Sequence, residues 1–133
     1  MQFIGYLNRE KELNACYKAA DIFIFASKSE TQGLVLLEAM AQGTPVVAIA
    51  ELGTASILVE GEGAMIAPED EAAFMQKVRS LLANPVHCNY LGERGRNYAQ
   101  NNWSAAKQAE RMVQFYGELL NRHAVKHERV IFS

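Results

Sequence analysis

The apolar positions of the chain change period several times. Asp21-Ile22-Phe23-Ile24-Phe25-Ala26 and Thr44-Pro45-Val46-Val47-Ala48-Ile49-Ala50 are continuous runs rich in β-branched and aromatic residues. A run apolar on both faces predicts a central parallel strand. Pro45 sits at the start of the second run, where a missing N–H does least harm. Between the runs, Leu34-Val35-Leu36-Leu37-Glu38-Ala39-Met40-Ala41 is built from helix formers, with Gly43 placed as the stop. Strand, helix and strand in so short a span make a βαβ unit, which forces the two strands parallel.

The flanking segments extend this pattern. Phe3-Ile4-Gly5-Tyr6-Leu7 predicts a short strand closed by Asn8. Asn8 would cap a helix ending near Ala20, with Glu10 and Glu12 against the dipole and Leu13, Cys16, Tyr17 and Ala20 at helical spacing. A short helix follows Thr54, a small strand runs from Gly63 to Ala67, and Pro68-Glu69-Asp70 opens a helix with the stripe Phe74, Val78, Leu81, Leu82. Asn84-Pro85 ends that helix. Two further helices are expected at about Val86–Gln100 and Ser104–Arg122, the second capped by Ser104 and carrying Ala105, Ala109, Met112, Tyr116 and Leu119 on one face. The sum is an α/β fold, a doubly wound parallel sheet of about four strands, with no glycine-rich G-x-G-x-x-G first turn.

Composition alters little. The chain has 133 residues, half of them hydrophobic, and a net charge of −2. That charge offers no bulk-positive surface for nucleic acid. Cys16 and Cys88 stand far apart without a CxxC pattern, so neither a disulfide framework nor a zinc site is expected and a reducing cytoplasm fits. His123 and His127 have metal-ligand spacing on a helix, but without an acidic or Cys partner they are assigned to the surface and no metal is expected. The start lacks the pattern of a signal peptide, and no apolar run reaches the ~18 residues of a membrane span.

Candidate chemistry concentrates between the two apolar runs. Glu30 falls in the loop after a strand, at the end where open α/β sheets bind ligands, and Glu38 lies one turn into the next helix. Amides of Gln32, Gly33 and Leu34 at that helix start form an anion site suited to a diphosphate, and Gly33 allows close approach. An ionised carboxylate such as Glu38 accepts two hydrogen bonds from a sugar diol. Glu30 would face the transferred sugar. Spacing alone leaves open that both glutamates are solvated helix-end carboxylates. Lys28 could contact phosphate or remain solvated, Arg94-Gly95-Arg96 is assigned to a solvated helix turn, and Tyr98, Trp103 and Phe115 to packing.

The run from Ser27 through Glu30-Thr31-Gln32-Gly33 and Glu38-Ala39-Met40 to Gly43-Thr44-Pro45-Val46-Val47-Ala48 closely resembles the donor-site signature of retaining GT-B glycosyltransferases. Phe3–Leu7, Leu13–Asp21, Asn84-Pro85 and Trp103 resemble the same family's C-terminal domain, so the likeness covers roughly residues 3–116. It implies that Glu30, the catalytic candidate, lies beside the donor sugar; that Thr31, Gln32, Gly33 and Leu34 bind the diphosphate through their amides; that Glu38 holds the ribose; and that Gly5, Tyr6 and Leu7 border the base. It further implies transfer of a sugar from a nucleotide donor, a UDP-sugar above all, with retention and without a metal or cofactor.

The departures carry information too. Glu30-Thr31-Gln32-Gly33 stands where the family commonly has Glu-Gly-Phe-Gly, a variant resembling enzymes that glycosylate lipids, and Gly53-Thr54 with Ser56 replaces a glycine pair and glutamate. The family's opening strand, basic residue and helix, and its acceptor-binding N-terminal domain, have no counterpart in the sequence. The resemblance therefore implies a single partial domain, the C-terminal half of a GT-B fold without its first strands, inactive by itself because the site forms between two domains. An unpaired sheet edge makes a homodimer an expected outcome. A cytoplasmic location is expected, with peripheral membrane contact through a lipid acceptor. A nucleotide-sugar epimerase or phosphorylase on the same scaffold, or a non-catalytic binding module, are the competing readings.

Overall fold

The computed structural model describes residue 3 and residues 5–27, 33–50 and 53–131, with the side chains of residues 9, 10, 53 and 123–131 outside that description. The chain divides into two compact units, Met1–Gln100 and Asn101–Ser133.

The first unit holds a three-stranded parallel sheet, β1 (Phe23–Phe25), β2 (Val46–Ala48) and β3 (Ala64–Ile66), in the order β1-β2-β3. Val47 lies opposite Ile24 on one side and Met65 on the other. Because side chains alternate along a strand, Ile24, Val47 and Met65 share one face, and Phe23, Phe25, Val46, Ala48, Ala64 and Ile66 share the other. The expected parallel α/β sheet is present. All three residues of β2 are fully buried, as a strand apolar on both faces and flanked on both sides should be.

The Asp21–Ala26 run departs from its reading as a central strand. β1 is an edge of this sheet, and Ile24 is 57% exposed. Phe3–Leu7 departs further: its described residues are not in a strand, Gly5 takes a φ of 82° and Tyr6 is fully exposed. A left-handed residue interrupts an extended run, and a strand gains its ladder bonds only beside a neighbour.

The next turn is also pulled out of the expected pattern. Asn8 does not begin a regular α-helix: the backbone N–H of Asn8 donates to Glu12 Oε2 at 2.7 Å, and the N–H of Leu13 donates to the Asn8 carbonyl at 2.9 Å. This wide turn over Arg9–Leu13 leads into α1 (Asn14–Ala19). Helix α2 (Leu34–Ala41) starts at Gly33 and stops at Gly43, both left-handed, with φ of 64° and 80°. It packs on β1, β2 and α1.

After α3 (Gly53–Ile57) and β3, Asp70 caps α4 (Glu71–Leu82) by accepting from the Ala73 N–H at 2.7 Å. Val78 and Leu81 of the expected stripe are buried with Val47 and Leu91, and Phe74 packs against them, whereas Leu82 is 54% exposed. Pro85 opens α5 (Pro85–Trp103), where the missing N–H costs nothing, and Asn84 Oδ1 accepts from the His87 N–H at 3.1 Å.

Helix α5 is held by backbone contact. Gly95 lies against the Gly63 backbone and Gly92 against the Gly43 carbonyl, where a methyl group on either would collide. Glycine inside a helix costs about 1 kcal/mol relative to alanine, and here it permits that approach. Arg96 Nη2 donates to the Gln42 carbonyl at 3.1 Å, placing a cation at the end of α2. Arg94 donates to the Gly61 carbonyl at 2.9 Å and pairs with Glu62, which holds its guanidinium firmly protonated. The two arginines assigned to a solvated turn are thus clamps.

The second unit is dominated by α6 (Ala105–Ile131), whose N-cap Ser104 accepts from the Lys107 N–H at 3.3 Å as expected. Met112, Tyr116 and Leu119 all lie exposed, and the Arg111 guanidinium stands 5.6 Å over the Trp103 ring.

The α5 packing separates two glycines of similar backbone conformation. Gly61 and Gly63 have φ of 82° and 92°, but only Gly63 faces another backbone. Gly61→Ala should lose about 1–2 kcal/mol for the left-handed backbone, and Gly63→Ala about 2 kcal/mol more for the collision. Equal losses in denaturant unfolding would show that α5 can step aside without cost.

Candidate functional site

The βαβ unit β1-α2-β2 sets the geometry. It sets the carboxyl end of β1 and the head of α2 on either side of residues 28–32, and Lys28, Glu30, Thr31 and Gln32 among them lie outside the described part. Gly33 and Leu34 are described. Gly33 is buried and left-handed, and its carbonyl accepts from the Leu36 N–H at 3.1 Å and the Leu37 N–H at 3.4 Å, which starts the helix. Leu34 is 48% exposed. At a helix head the first amides have no acceptor within the helix, so Leu34 and Val35 direct N–H groups outward from the positive end of the dipole.

Glu38 stands in the second turn of α2, half-buried, while its neighbours Ala39 and Met40 are fully buried. It is therefore not a fully solvated helix-end carboxylate. Its Oε2 accepts from the Tyr17 hydroxyl at 3.5 Å. Tyr17, which reads in the sequence only as an apolar helix position, is 6% exposed and meets the Phe23 ring edge-on. Thr44 joins this group by donating to the Tyr17 carbonyl at 2.5 Å. No sequence signal connects residues so far apart except an oxygen-bearing side chain in an otherwise apolar stripe.

The structure places Gly5, Tyr6 and Leu7 in irregular backbone ahead of α1, with Gly5 and Tyr6 exposed and Leu7 half-buried. It brings Gly33, Leu34 and Glu38 together on one short helix.

A recess of about 290 Å³ opens at the carboxyl ends of β1 and β2 on the α4 face, between Ala26, Ile49, Phe74 and Met75. Its charged rim is Glu69, Asp70 and Glu71, and Asp70 is engaged as the α4 cap. An acidic rim repels phosphate, so the α2 head is the better anion site of the two. Cys88 is no nucleophile candidate: its thiol donates to the Asp21 carbonyl at 3.3 Å, and burial, then the Asp21 charge, pushes its pKa up.

Known proteins resemble the chain at both levels. Residues 1–98 match the glycosyl transferases group 1 family. A sulfoquinovosyl transferase of Arabidopsis thaliana is 35% identical over 118 residues, which is 85% of this chain and 23% of that protein. A D-inositol 3-phosphate glycosyltransferase of Corynebacterium diphtheriae is 34% identical over 110 residues, 81% of this chain and 25% of that protein. The chain thus spans about a quarter of these relatives' length. Among solved structures, sucrose-phosphate synthase from Thermosynechococcus elongatus superposes with a TM-score of 0.75 at 31% identity, over 91% of this chain and 30% of that one.

The left-handed Gly33 has a strain that can be separated from its contacts. A methyl group there would lie 2.7 Å from Ile57 Cδ1, the movable tip of a side chain. Gly33→Ala should cost about 1–2 kcal/mol for the backbone conformation plus a share for that contact. Combined with Ile57→Val, which removes Cδ1, the loss should fall short of the sum of the single losses by at least about 0.5 kcal/mol. Strict additivity in thermal unfolding would leave the backbone conformation as the whole cost. The parallel α/β sheet, the match over residues 1–98 and the structural likeness to sucrose-phosphate synthase agree, and the chain belongs to the glycosyl transferases group 1 family, with the Rossmann-like architecture of a GT-B half.

Proposed function

We propose that this chain is the donor-binding part of an enzyme that transfers a sugar from a nucleotide sugar, a UDP-sugar above all, to an acceptor with retention of configuration. The observation that carries the reading is the head of α2: a buried left-handed Gly33 at the carboxyl end of β1 and a half-buried Glu38 one turn further on. In this reading the arrangement sets an anion site and a diol acceptor on one short helix, the two chemistries that a nucleoside diphosphate calls for. The resemblance of the surrounding sequence to the retaining donor-site signature supports the finer assignments.

In this reading the diphosphate lies on the amides of Thr31, Gln32, Gly33 and Leu34. The ribose diol donates to Glu38, and the base rests near Gly5, Tyr6 and Leu7. Glu30 faces the donor sugar and stabilises positive charge developing at its anomeric carbon as the bond to the diphosphate lengthens. The departing diphosphate gains negative charge at the same moment, and the helix head meets it with fixed N–H groups. An acceptor-binding domain in the parent protein closes the cleft and brings the acceptor hydroxyl into reach, which is the main thing a two-domain site supplies. Among the described residues no helix is long and apolar enough to cross a membrane.

Titration of the folded chain with UDP and with UDP-glucose, followed by amide NMR, tests donor binding. Saturating shifts are expected at Gly33, Leu34 and Glu38. A folded sample with no change at these amides at millimolar nucleotide would sink the reading.

A further inference from the structure

The support behind Glu38 comes from α1. Tyr17 stands 21 residues ahead of Glu38 in sequence, and its hydroxyl donates to Glu38 Oε2 at 3.5 Å. That bond is long, so it does not hold Tyr17 in place. Other contacts do. The Thr44 hydroxyl, itself 2% exposed, donates to the Tyr17 carbonyl at 2.5 Å. The Phe23 ring meets the Tyr17 ring at 5.4 Å between centroids and 84° between planes. The side chain as a whole is 6% exposed. Tyr17 is therefore fixed by packing, and its hydroxyl is delivered to the carboxylate from an immobile ring.

A glutamate on a helix surface rotates about three torsions, and freezing a rotamer-rich side chain on binding weakens association. A donor fixed on one carboxylate oxygen removes part of that freedom beforehand. The ring is too deeply buried to touch a ligand.

We propose that Tyr17 is a positioning residue for nucleotide binding: its hydroxyl orients the Glu38 carboxylate toward the ribose diol of a nucleoside diphosphate. The inference rests on the reading of Glu38 as the ribose acceptor. It adds a residue from a different element, held by Thr44 and Phe23, to the machinery of that contact. The hydrogen bond from Tyr17 also strengthens when bound nucleotide excludes water from Glu38.

The test uses the full chain and two probes, UDP and dideoxyuridine diphosphate, which lacks both ribose hydroxyls, measured by calorimetry. Tyr17→Phe keeps the ring and should melt like the wild type. Its affinity for UDP should fall about 3- to 10-fold, the effect of one oriented hydrogen bond, while its affinity for the dideoxy nucleotide stays unchanged. Tyr17→Phe combined with Glu38→Gln should bind UDP no more weakly than Glu38→Gln alone. Tyr17→Phe binding UDP like the wild type, while Glu38→Gln binds it more weakly, overturns the role of Tyr17 and leaves that of Glu38 standing. Equal weakening toward both nucleotides also overturns it, because a structural defect does not distinguish a diol. The two probes are compared within one variant, so partial unfolding scales both alike and does not mimic the expected result. Glu38→Gln binding UDP like the wild type overturns the ribose reading itself, and the proposal with it.

Discussion

The burial of β2 between two parallel neighbours constrains everything around it. Val46, Val47 and Ala48 have no exposure, with β1 on one side and β3 on the other. Parallel strands cannot be joined by a hairpin, so each connection has to cross a face of the sheet. The crossover from β1 to β2 is α2, and its head therefore emerges beside the carboxyl end of β1. The position of the left-handed Gly33, where the diphosphate is proposed to lie, is thus a consequence of where β2 must lie. The four glycines behind β2 serve the same end, because Gly43, Gly63, Gly92 and Gly95 let α5 close directly on the turns that enter β2 and β3.

The elements that could be read from the sequence are those whose signals are local. Helix α4 has a cap three residues ahead of the amide it satisfies, a periodic stripe and an Asn-Pro stop, and it forms where expected. Helix α2 is bracketed by Gly33 and Gly43, whose left-handed backbones are the reason glycine stands there. The misreadings concern pairing. Ile22–Ala26 is apolar on both faces whether or not a neighbour lies beyond it, so nothing in the run distinguishes a central strand from the edge it forms, with Ile24 exposed. Phe3–Leu7 has strand-like composition, yet hydrogen bonding to a neighbour makes a strand, and the left-handed Gly5 in its midst is compatible with a turn as well. The tight α5 contact was equally illegible: Gly92 and Gly95 look like helix weaknesses until the backbone opposite them is known.

The candidate site divides along the same line. Glu38 stands out because a carboxylate inside Leu37-Glu38-Ala39-Met40 is costly to bury without a partner, and on α2 it is half-buried. Its partner does not stand out. Tyr17 fits the apolar stripe of α1 and reads as packing, which it also is; only the fold reveals that its hydroxyl reaches α2. Arg94 and Arg96 show the opposite error, since two cations around a glycine look like a phosphate contact or a solvated turn, whereas they bind Glu62 and the end of α2.

If the α2 head holds a diphosphate as proposed, a carboxylate beside it has an electrostatic cost that bears on how the site would work. Glu38 stands four positions after Leu34, about 6 Å along a helix axis. Two unit negative charges about 6 Å apart repel by roughly 3 kcal/mol with an effective dielectric near 20. The helix head offsets part of this with its partial positive charge, concentrated in the first turn where the phosphate would lie. The remainder must be met by hydrogen bonds that exist only when the ligand is a nucleotide. Inorganic diphosphate would meet the repulsion without the compensating diol, while a nucleoside would find the diol acceptor without the dipole. Under the proposed donor reading, a glutamate at this position would therefore act as a selectivity element as well as a binding one: it would penalise the bare anion and favour a ligand that carries both groups.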